Sequence, residues 1–230
     1  MKSKIPFLSI ITVVYNGEHF LEKTIKSIIT QKCKNLEYII IDGGSTDGTL
    51  DIIDKYEDSI NYWISEKDEG IYDAMNKGIE KSTGEGLLFL NAGDYFVGDV
   101  ITKKISIPSF LPVKYINRLN KLTNVKIKNH KYGIPNCHQG IIFENKDIKY
   151  NLKYKVVADY EYFLRHGYEN LSTSKSIGYV YYDNEGFSKV NYKKRDDELY
   201  EIIYNHFGLL YASNFKIKSF LKSIIKSIIK

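Results

Sequence analysis

The chain has 230 residues, of which 43% are hydrophobic and 14% aromatic, a composition that excludes a disordered chain and supplies one domain with a core of its own. A net charge of +5 suits phosphates or acidic lipids, and the lysines are spread along the chain rather than gathered into the dense basic stripe of a nucleic-acid binder, so no nucleic-acid partner is expected. Cys33 and Cys137 make no disulfide framework and have no metal-type spacing, which fits a reducing compartment.

The basic, apolar start has the look of a secretion signal, but its run is short and lacks a small-residue cleavage site, so it reads as a first buried strand. That strand covers 7–14, an unbroken Ile- and Val-rich run of the kind buried on both faces of a parallel sheet. Residues 18–30 follow as a helix, with Leu21, Ile25, Ile28 and Ile29 at helical spacing. A second strand over 38–41 ends at Asp42, and the turn at 43–46 offers hydroxyls to cap a helix over 47–56. The third strand covers 61–65, the third helix 71–81 and the fourth strand 86–90, which ends in Asn91-Ala92-Gly93-Asp94. This alternation predicts an α/β fold, a single Rossmann-like domain around a central, mostly parallel sheet. The second half is less regular. An excursion and irregular connection are expected over 99–135, then a strand at 141–143, a helix at 159–166, a strand at 177–182 and a helix at 196–211. No stretch holds the roughly 20 continuous apolar residues of a membrane span.

Open parallel sheets bind ligands at the carboxyl ends of their strands, and there Asn16, Asp42 and Asp94 each follow a buried strand. Asp42, with Ser45 and Asp47 nearby, is placed either to cap its own turn or to accept hydrogen bonds from a base or ribose. Asn91 and Asp94 make a polar turn, and the same two groups can help hold Mg2+ or Mn2+, a cation that often takes few protein carboxylates. Asp68 lies in a charged loop ahead of the third helix, on which Asp73 and Asn76 share a face. Asp159 starts a helix after an apolar stretch, as an N-cap or as a general base tuned by Arg165. His138 has no second His at ligand spacing, so zinc is not expected.

Taken in order, the stretches SIITVVYN (9–16), IIDGGSTDGT (40–49), SEKDEGIYDAMNKG (65–78), LNAGD (90–94), CHQ (137–139) and ADYEYFLR (158–165) resemble family 2 glycosyltransferases of GT-A fold, in the wording of the branch that builds bacterial surface polysaccharides. The resemblance covers residues 5 to about 190 and is specific as an ordered set. It implies that Thr12, Val14, Tyr15 and Asn16 line a nucleotide pocket and that Asp42 contacts the uracil or equivalent base, with Ser45 and Asp68 nearby. It implies further that Asp73 and Asn76 border the donor, and that His138 and Gln139 sit near donor or acceptor. Asp94 would bind a Mn2+ or Mg2+ cofactor on the donor diphosphate, beside Asn91, and Asp159 would be the catalytic base in a direct, inverting displacement. The loop at Gly186-Phe187-Ser188 would close over the diphosphate. The partners implied are a nucleotide-sugar donor, read as a UDP-sugar because that is the common donor of the family, and a polyprenyl-diphosphate-linked or other lipid-linked glycan acceptor.

The chain departs from the family pattern where the acidic cluster after the fourth strand thins to Asp94, where Ala158 replaces the usual Glu before the base, and where 97–135 is shortened. These departures keep open an alternative, a non-catalytic, degenerate transferase serving as a membrane-associated binding subunit. A dinucleotide oxidoreductase is disfavoured because the first strand leads into Val14-Tyr15-Asn16-Gly17 rather than a G-x-G-x-x-G turn, and a sugar nucleotidyltransferase because its Gly-rich, Arg-containing first loop is missing. Domain boundaries are expected at 1–212 and 213–230. In the latter, a C-terminal amphipathic helix sets Ile217, Phe220, Leu221, Ile224, Ile225, Ile228 and Ile229 on one face and Lys222, Lys226 and Lys230 on the other. Such a helix suits an anionic membrane surface and predicts a cytoplasmic protein, peripheral at the inner face of the cell membrane.

Overall fold

The computed structural model describes residues 7–102, 105–117, 119–168, 171–182 and 191–228. In chain order the first half gives β1 (Leu8–Val14), α1 (Leu21–Ile29), β2 (Leu36–Asp42), α2 (Thr49–Lys55), β3 (Tyr62–Ser65), α3 (Ile71–Lys81), β4 (Gly86–Phe89) and β5 (Tyr95–Val97). The second half gives β6 (Ser109–Phe110), β7 (Val113–Ile116), β8 (Leu122–Asn124), β9 (Ile141–Glu144), α4 (Ala158–Arg165), β10 (Tyr179–Tyr181), α5 (Tyr192–Phe207) and α6 (Leu209–Ile228).

Every residue of β1 is buried, as its unbroken apolar run requires of a strand covered on both faces. It pairs in parallel with β2 from Leu8 opposite Leu36 to Val14 opposite Asp42, and with β4 on its other side. The main sheet has the order β3-β2-β1-β4-β9-β6, parallel among its first four strands and antiparallel at β9 and β6. Alternate residues of the strands feed two cores. Ile11, Val13, Ile39, Ile41 and Phe89 meet Ala74, Met75 and Ile79 of α3, the aromatic residues of α4, and Ile202 and Ile203 of α5. Leu8, Ile10, Ile40 and Leu88 meet Leu21, Ile25 and Ile28 of α1 and the second sheet. That second sheet runs β5-β10-β7-β8. α3 lies close on β1 because residue 78 is glycine: a Cβ there would stand 2.5 Å from Ile11 Cγ2.

The helix expected over 196–211 is two helices. Gly208, at φ 82 and ψ 177, ends α5 and lets the chain restart as α6. α6 therefore begins at Leu209, ahead of the boundary expected at 213, and its first half joins the core through Ala212 with Tyr211 and Phe215 packed beside it. The region expected to be irregular over 99–135 carries β6, β7 and β8, whose two to four residues are too short to show a period in sequence. Among the described residues no helix is long and apolar enough to cross a membrane.

Candidate active site

The loops after β1 and β2 are laced together by side chains that the sequence marks as polar strand ends. Asn16, at φ 49, gives its N–H to Ser45 Oγ (2.8 Å) and accepts from the Thr46 N–H through Oδ1 (2.9 Å). The Gly17 N–H donates to Thr49 Oγ1 (2.8 Å), and the Gly43 N–H to the Val14 carbonyl (2.9 Å). Asp42 is wholly buried under this loop. Its Oδ2 accepts from Gly44 N (3.1 Å), Ser45 N (2.9 Å) and Ser65 Oγ (2.6 Å), and its Oδ1 from Ser45 Oγ. The carboxylate thus shapes the loop from beneath. Thr12 and Val14 are also interior. The Thr12 hydroxyl donates to the Leu90 carbonyl at 2.8 Å and accepts from Tyr38 at 3.2 Å, which ties β1 to its neighbours. Tyr15, at the same strand end, is 65% exposed.

A Cβ on Gly43 would stand 2.5 Å from Asp68 Oδ2, so Asp68 lies directly against the β2 loop. Asp68 Oδ1 accepts from the Gly70 N–H (2.8 Å), and Asp73 Oδ2 from the Glu69 N–H (3.0 Å), which fixes the turn into α3. Lys77 stands 2.8 Å from Glu66 and 3.8 Å from Asp73. Asn76, expected to border the donor together with Asp73, is turned inward. Its amide donates to the Tyr150 carbonyl (3.0 Å) and accepts the Tyr150 N–H (2.7 Å), joining α3 to the segment after β9.

Beyond β4, the Asn91–Asp94 turn closes with Asp94 N–H to the Asn91 carbonyl (3.0 Å), with Gly93 at φ 101. Thr24 of α1 braces it, accepting from the Gly93 N–H (3.1 Å) and donating to the Asp94 carbonyl (2.8 Å). Asp94 is 4% exposed, and the Asn91 Oδ1 is buried without a hydrogen-bond partner. Among the described residues no three His, Cys, Asp or Glu side chains gather as a metal cluster. One carboxylate beside an unmatched amide oxygen fits a cation whose shell is completed mainly by ligand phosphate and water.

Cys137-His138-Gln139 leads into β9, the strand paired with β4. Burial pushes the Cys137 thiol well up, and the negative charges of Asp94 and Asp159 push it further, so both carboxylates act on one thiol. The thiol donates to Gln139 Oε1 at 2.7 Å. His138 is buried, with Nε2 2.6 Å from the Tyr150 hydroxyl and its ring stacked on Phe89. Burial lowers its pKa to about 3, so the ring is neutral at physiological pH and structural in its contacts.

Asp159, in the first turn of α4, has its pKa raised to about 6. Desolvation is the main cause and the like charge of Glu198 adds to it, against the Tyr160 N–H (2.9 Å) and the Tyr72 hydroxyl (3.5 Å), which favour the carboxylate. Arg165, expected to tune this group, is engaged elsewhere. Its Nε donates to Glu161 (2.7 Å) and its guanidinium reaches the Lys149 carbonyl. The Cys137 thiol thus bonds Gln139 and feels the charges of Asp94 and Asp159, while Tyr15, Asn16, Ser45 and Asp68 stand at the rim of the sheet and Thr12, Val14, Asp42, Asn76 and His138 lie beneath as supports. Sequence reading overlooked Tyr72, Tyr150 and Glu198. Tyr72 stands inside a quoted stretch, whereas nothing local marks Glu198 on its charged helix. Gly186, Phe187 and Ser188 lie outside the described residues.

An open, mostly parallel sheet with polar loops at its carboxyl ends, faced by a desolvated carboxylate, defines an α/β domain of the ligand-binding kind that works at the strand ends. The particular family follows from comparison with known proteins. Residues 9–106 match the family described as glycosyl transferase family 2. An uncharacterized glycosyltransferase of Mycobacterium tuberculosis (strain CDC 1551 / Oshkosh), MT1564, is 34% identical over 181 residues, which is 70% of this chain and 68% of that protein. The chain belongs to glycosyl transferase family 2. Among solved structures, S. aureus TarS 1-349 in complex with UDP-GlcNAc is similar with a TM-score of 0.65 at 18% identity, over 87% of this chain and 67% of that one. The chain spans 40% of the longer TarS chain. Mannosyltransferase PcManGT from Pyrobaculum calidifontis, in complex with GDP-Man and Mn2+, is similar with a TM-score of 0.60 at 15% identity, over 87% of this chain and 64% of that one. At these identities the likeness is one of fold, and that fold is GT-A.

Proposed function

We propose that the chain transfers a sugar from a nucleotide-sugar donor, a UDP-sugar, onto a hydroxyl of a lipid-linked glycan during assembly of a bacterial surface polysaccharide. The observation that carries this reading is the desolvated carboxyl of Asp159 in the first turn of α4, its pKa raised to about 6, in a chain whose β4 turn buries Asp94 and the unmatched Asn91 amide oxygen. The UDP-GlcNAc in the TarS complex and the GDP-Man and Mn2+ in the PcManGT complex support a nucleotide-sugar donor used with a divalent cation.

The chemistry follows from the residues. Tyr15 offers a ring to the base, and the Asn16–Ser45–Asp68 rim orients the rest of the nucleotide. Asp94, with the Asn91 amide oxygen beside it, would hold the cation. A bound Mn2+ or Mg2+ supplies positive charge against the leaving diphosphate. Asp159 takes the proton of the acceptor hydroxyl. The acceptor oxygen forms its bond to the anomeric carbon as the bond from that carbon to the diphosphate oxygen breaks, which inverts the configuration. A base titrating near 6 is ionised at neutral pH and still more basic than an exposed Asp. The expected basic amphipathic tail would hold the protein at the anionic inner face of the membrane, next to such an acceptor.

The test is release of nucleoside diphosphate from a panel of nucleotide sugars, with Mn2+ and a lipid-diphosphate acceptor. Release from one donor is expected, and Asp94→Ala and Asp159→Ala should each abolish it. If no donor is turned over, or both variants match the wild type, the binding-subunit alternative replaces this reading.

A further inference from the structure

The chain enters α4 through residues 155–157, and Val157 at the helix start has no side-chain cap of its own. Buried N–H groups at such an entry need partners. One carboxylate from another element serves all three. Glu198 of α5 accepts from the Lys155 N–H through Oε1 (2.9 Å) and from the Val156 and Val157 N–H groups through Oε2 (2.9 and 3.1 Å). It is only 9% exposed, and no described Lys or Arg forms an ion pair with it. The Val156 peptide is gripped from its other side as well, since its carbonyl accepts from the Tyr72 hydroxyl at 2.9 Å. That same hydroxyl reaches Asp159 Oδ1. The Asp159 carboxyl thus stands two residues beyond a backbone stretch held by Glu198 and Tyr72.

We propose that Glu198 is a positioning residue for Asp159: its carboxylate clamps the 155–157 backbone and so fixes where the Asp159 carboxyl stands. This rests on the reading of Asp159 as the acceptor base. The titratable groups that act on or face Asp159 are Tyr72 of α3, Cys137 of the turn before β9, Tyr150 of the segment after β9, and Glu198 of α5. Burial raises Tyr72, Cys137 and Tyr150 well above their ordinary values, which leaves them neutral at physiological pH. Asp94 acts with Asp159 on the Cys137 thiol, and Glu198 is the carboxylate whose like charge bears on Asp159 itself and favours its protonated form.

The experiment uses the full chain, in metal-free buffer for the titration and with Mn2+ for turnover. The Asp159 carboxyl is titrated by carbon NMR in the wild type, Glu198→Gln and Glu198→Ala, and kcat, donor KM and the pH profile of kcat/KM are measured alongside. Glu198→Gln removes the charge and, with its one amide oxygen, keeps the Val156 and Val157 N–H groups while giving up that of the exposed Lys155, so the Asp159 titration and the acid limb of the profile should both move to lower pH. Glu198→Ala releases the backbone and should lower kcat on the order of a hundredfold while leaving donor KM unchanged, because the nucleotide rim lies on other elements. Glu198→Gln should recover most of that loss. An unmoved Asp159 titration in Glu198→Gln, or an unchanged kcat in Glu198→Ala, overturns the proposal. The titration needs no turnover, so a wild type that transfers no sugar defeats the functional reading while the role of Glu198 is still decided. Should neither variant fold, the wild type decides: slow exchange of the Val156 and Val157 amide protons is expected, and rapid exchange overturns the clamp.

Discussion

At Asp159, burial works against the ionised carboxyl while two hydrogen-bond donors work for it, and burial wins, leaving the pKa at about 6. The acid limb of kcat/KM is therefore expected near pH 6, since a general base must be ionised to act. Stability carries the opposite sign. A carboxyl whose folded pKa lies above its unfolded value favours the folded state at low pH, and that contribution is lost as pH rises through about 6. Asp159→Asn should abolish transfer and, at pH 8, unfold at a higher urea concentration than the wild type. The gain should be on the order of 2 kcal/mol, shrinking as the pH falls towards 4. A variant equally stable at both pH values would show that Asp159 is not desolvated. Position at strand and helix ends made Asp42, Asp94 and Asp159 visible in the sequence. Their partners were not visible, because Ser65, Tyr72 and Glu198 come from other elements. Asp42 shows the consequence: its place at the end of β2 and its capping of its own turn through Gly44 and Ser45 were legible, whereas the bond from Ser65 of β3 depends on packing.

At the scale of elements, strands of the β1 and β2 kind announce themselves because burial on both faces demands an unbroken apolar run. The second sheet gives no such signal. Its strands have three or four residues, and β10 finds β5 and β7 only after the long excursion between them has been folded back. The Tyr192–Gly208 region failed for another reason. Helical periodicity continues across Gly208, and a glycine in the sequence does not say whether it will sit in a helix or end one. Here φ 82 with ψ 177 is a conformation that L side chains rarely adopt, and an added Cβ would meet nothing within 4 Å. The cost of Gly208→Ala is therefore one of backbone alone, about 1–3 kcal/mol in chemical denaturation. Its Asp159 acid limb should stay where it is in the wild type, because the Glu198 contacts lie more than two turns earlier on α5.

For the whole molecule, α6 is where the domain and the proposed membrane tail share one helix. Its first half is part of the domain: Tyr211 accepts from Lys131 Nζ (3.1 Å), Lys218 lies 4.3 Å from the Tyr132 ring centre, and Ser219 donates to Asp196 (2.6 Å). The same turn that α6 packs against, His130–Tyr132, accepts the Tyr160 hydroxyl (2.6 Å) next to Asp159. Removal of the chain from 213 would therefore take away Phe215, Lys218 and Ser219 and loosen the wall of the site, so it is a poor test of membrane binding. Ending the chain after Ser219 keeps every one of these contacts and removes Lys222, Lys226 and Lys230 with their Ile partners. Each Lys near an anionic surface contributes about 1 kcal/mol, so partition onto vesicles rich in anionic lipid should weaken at least a hundredfold at low salt. The wild type should itself lose most of its binding as salt rises, since screening acts on exposed charge. Activity on a soluble acceptor should match that of the full chain. Unaltered vesicle binding by the shortened protein would move the membrane contact off this helix, and a loss of soluble activity would mean that residues 220–230 belong to the domain.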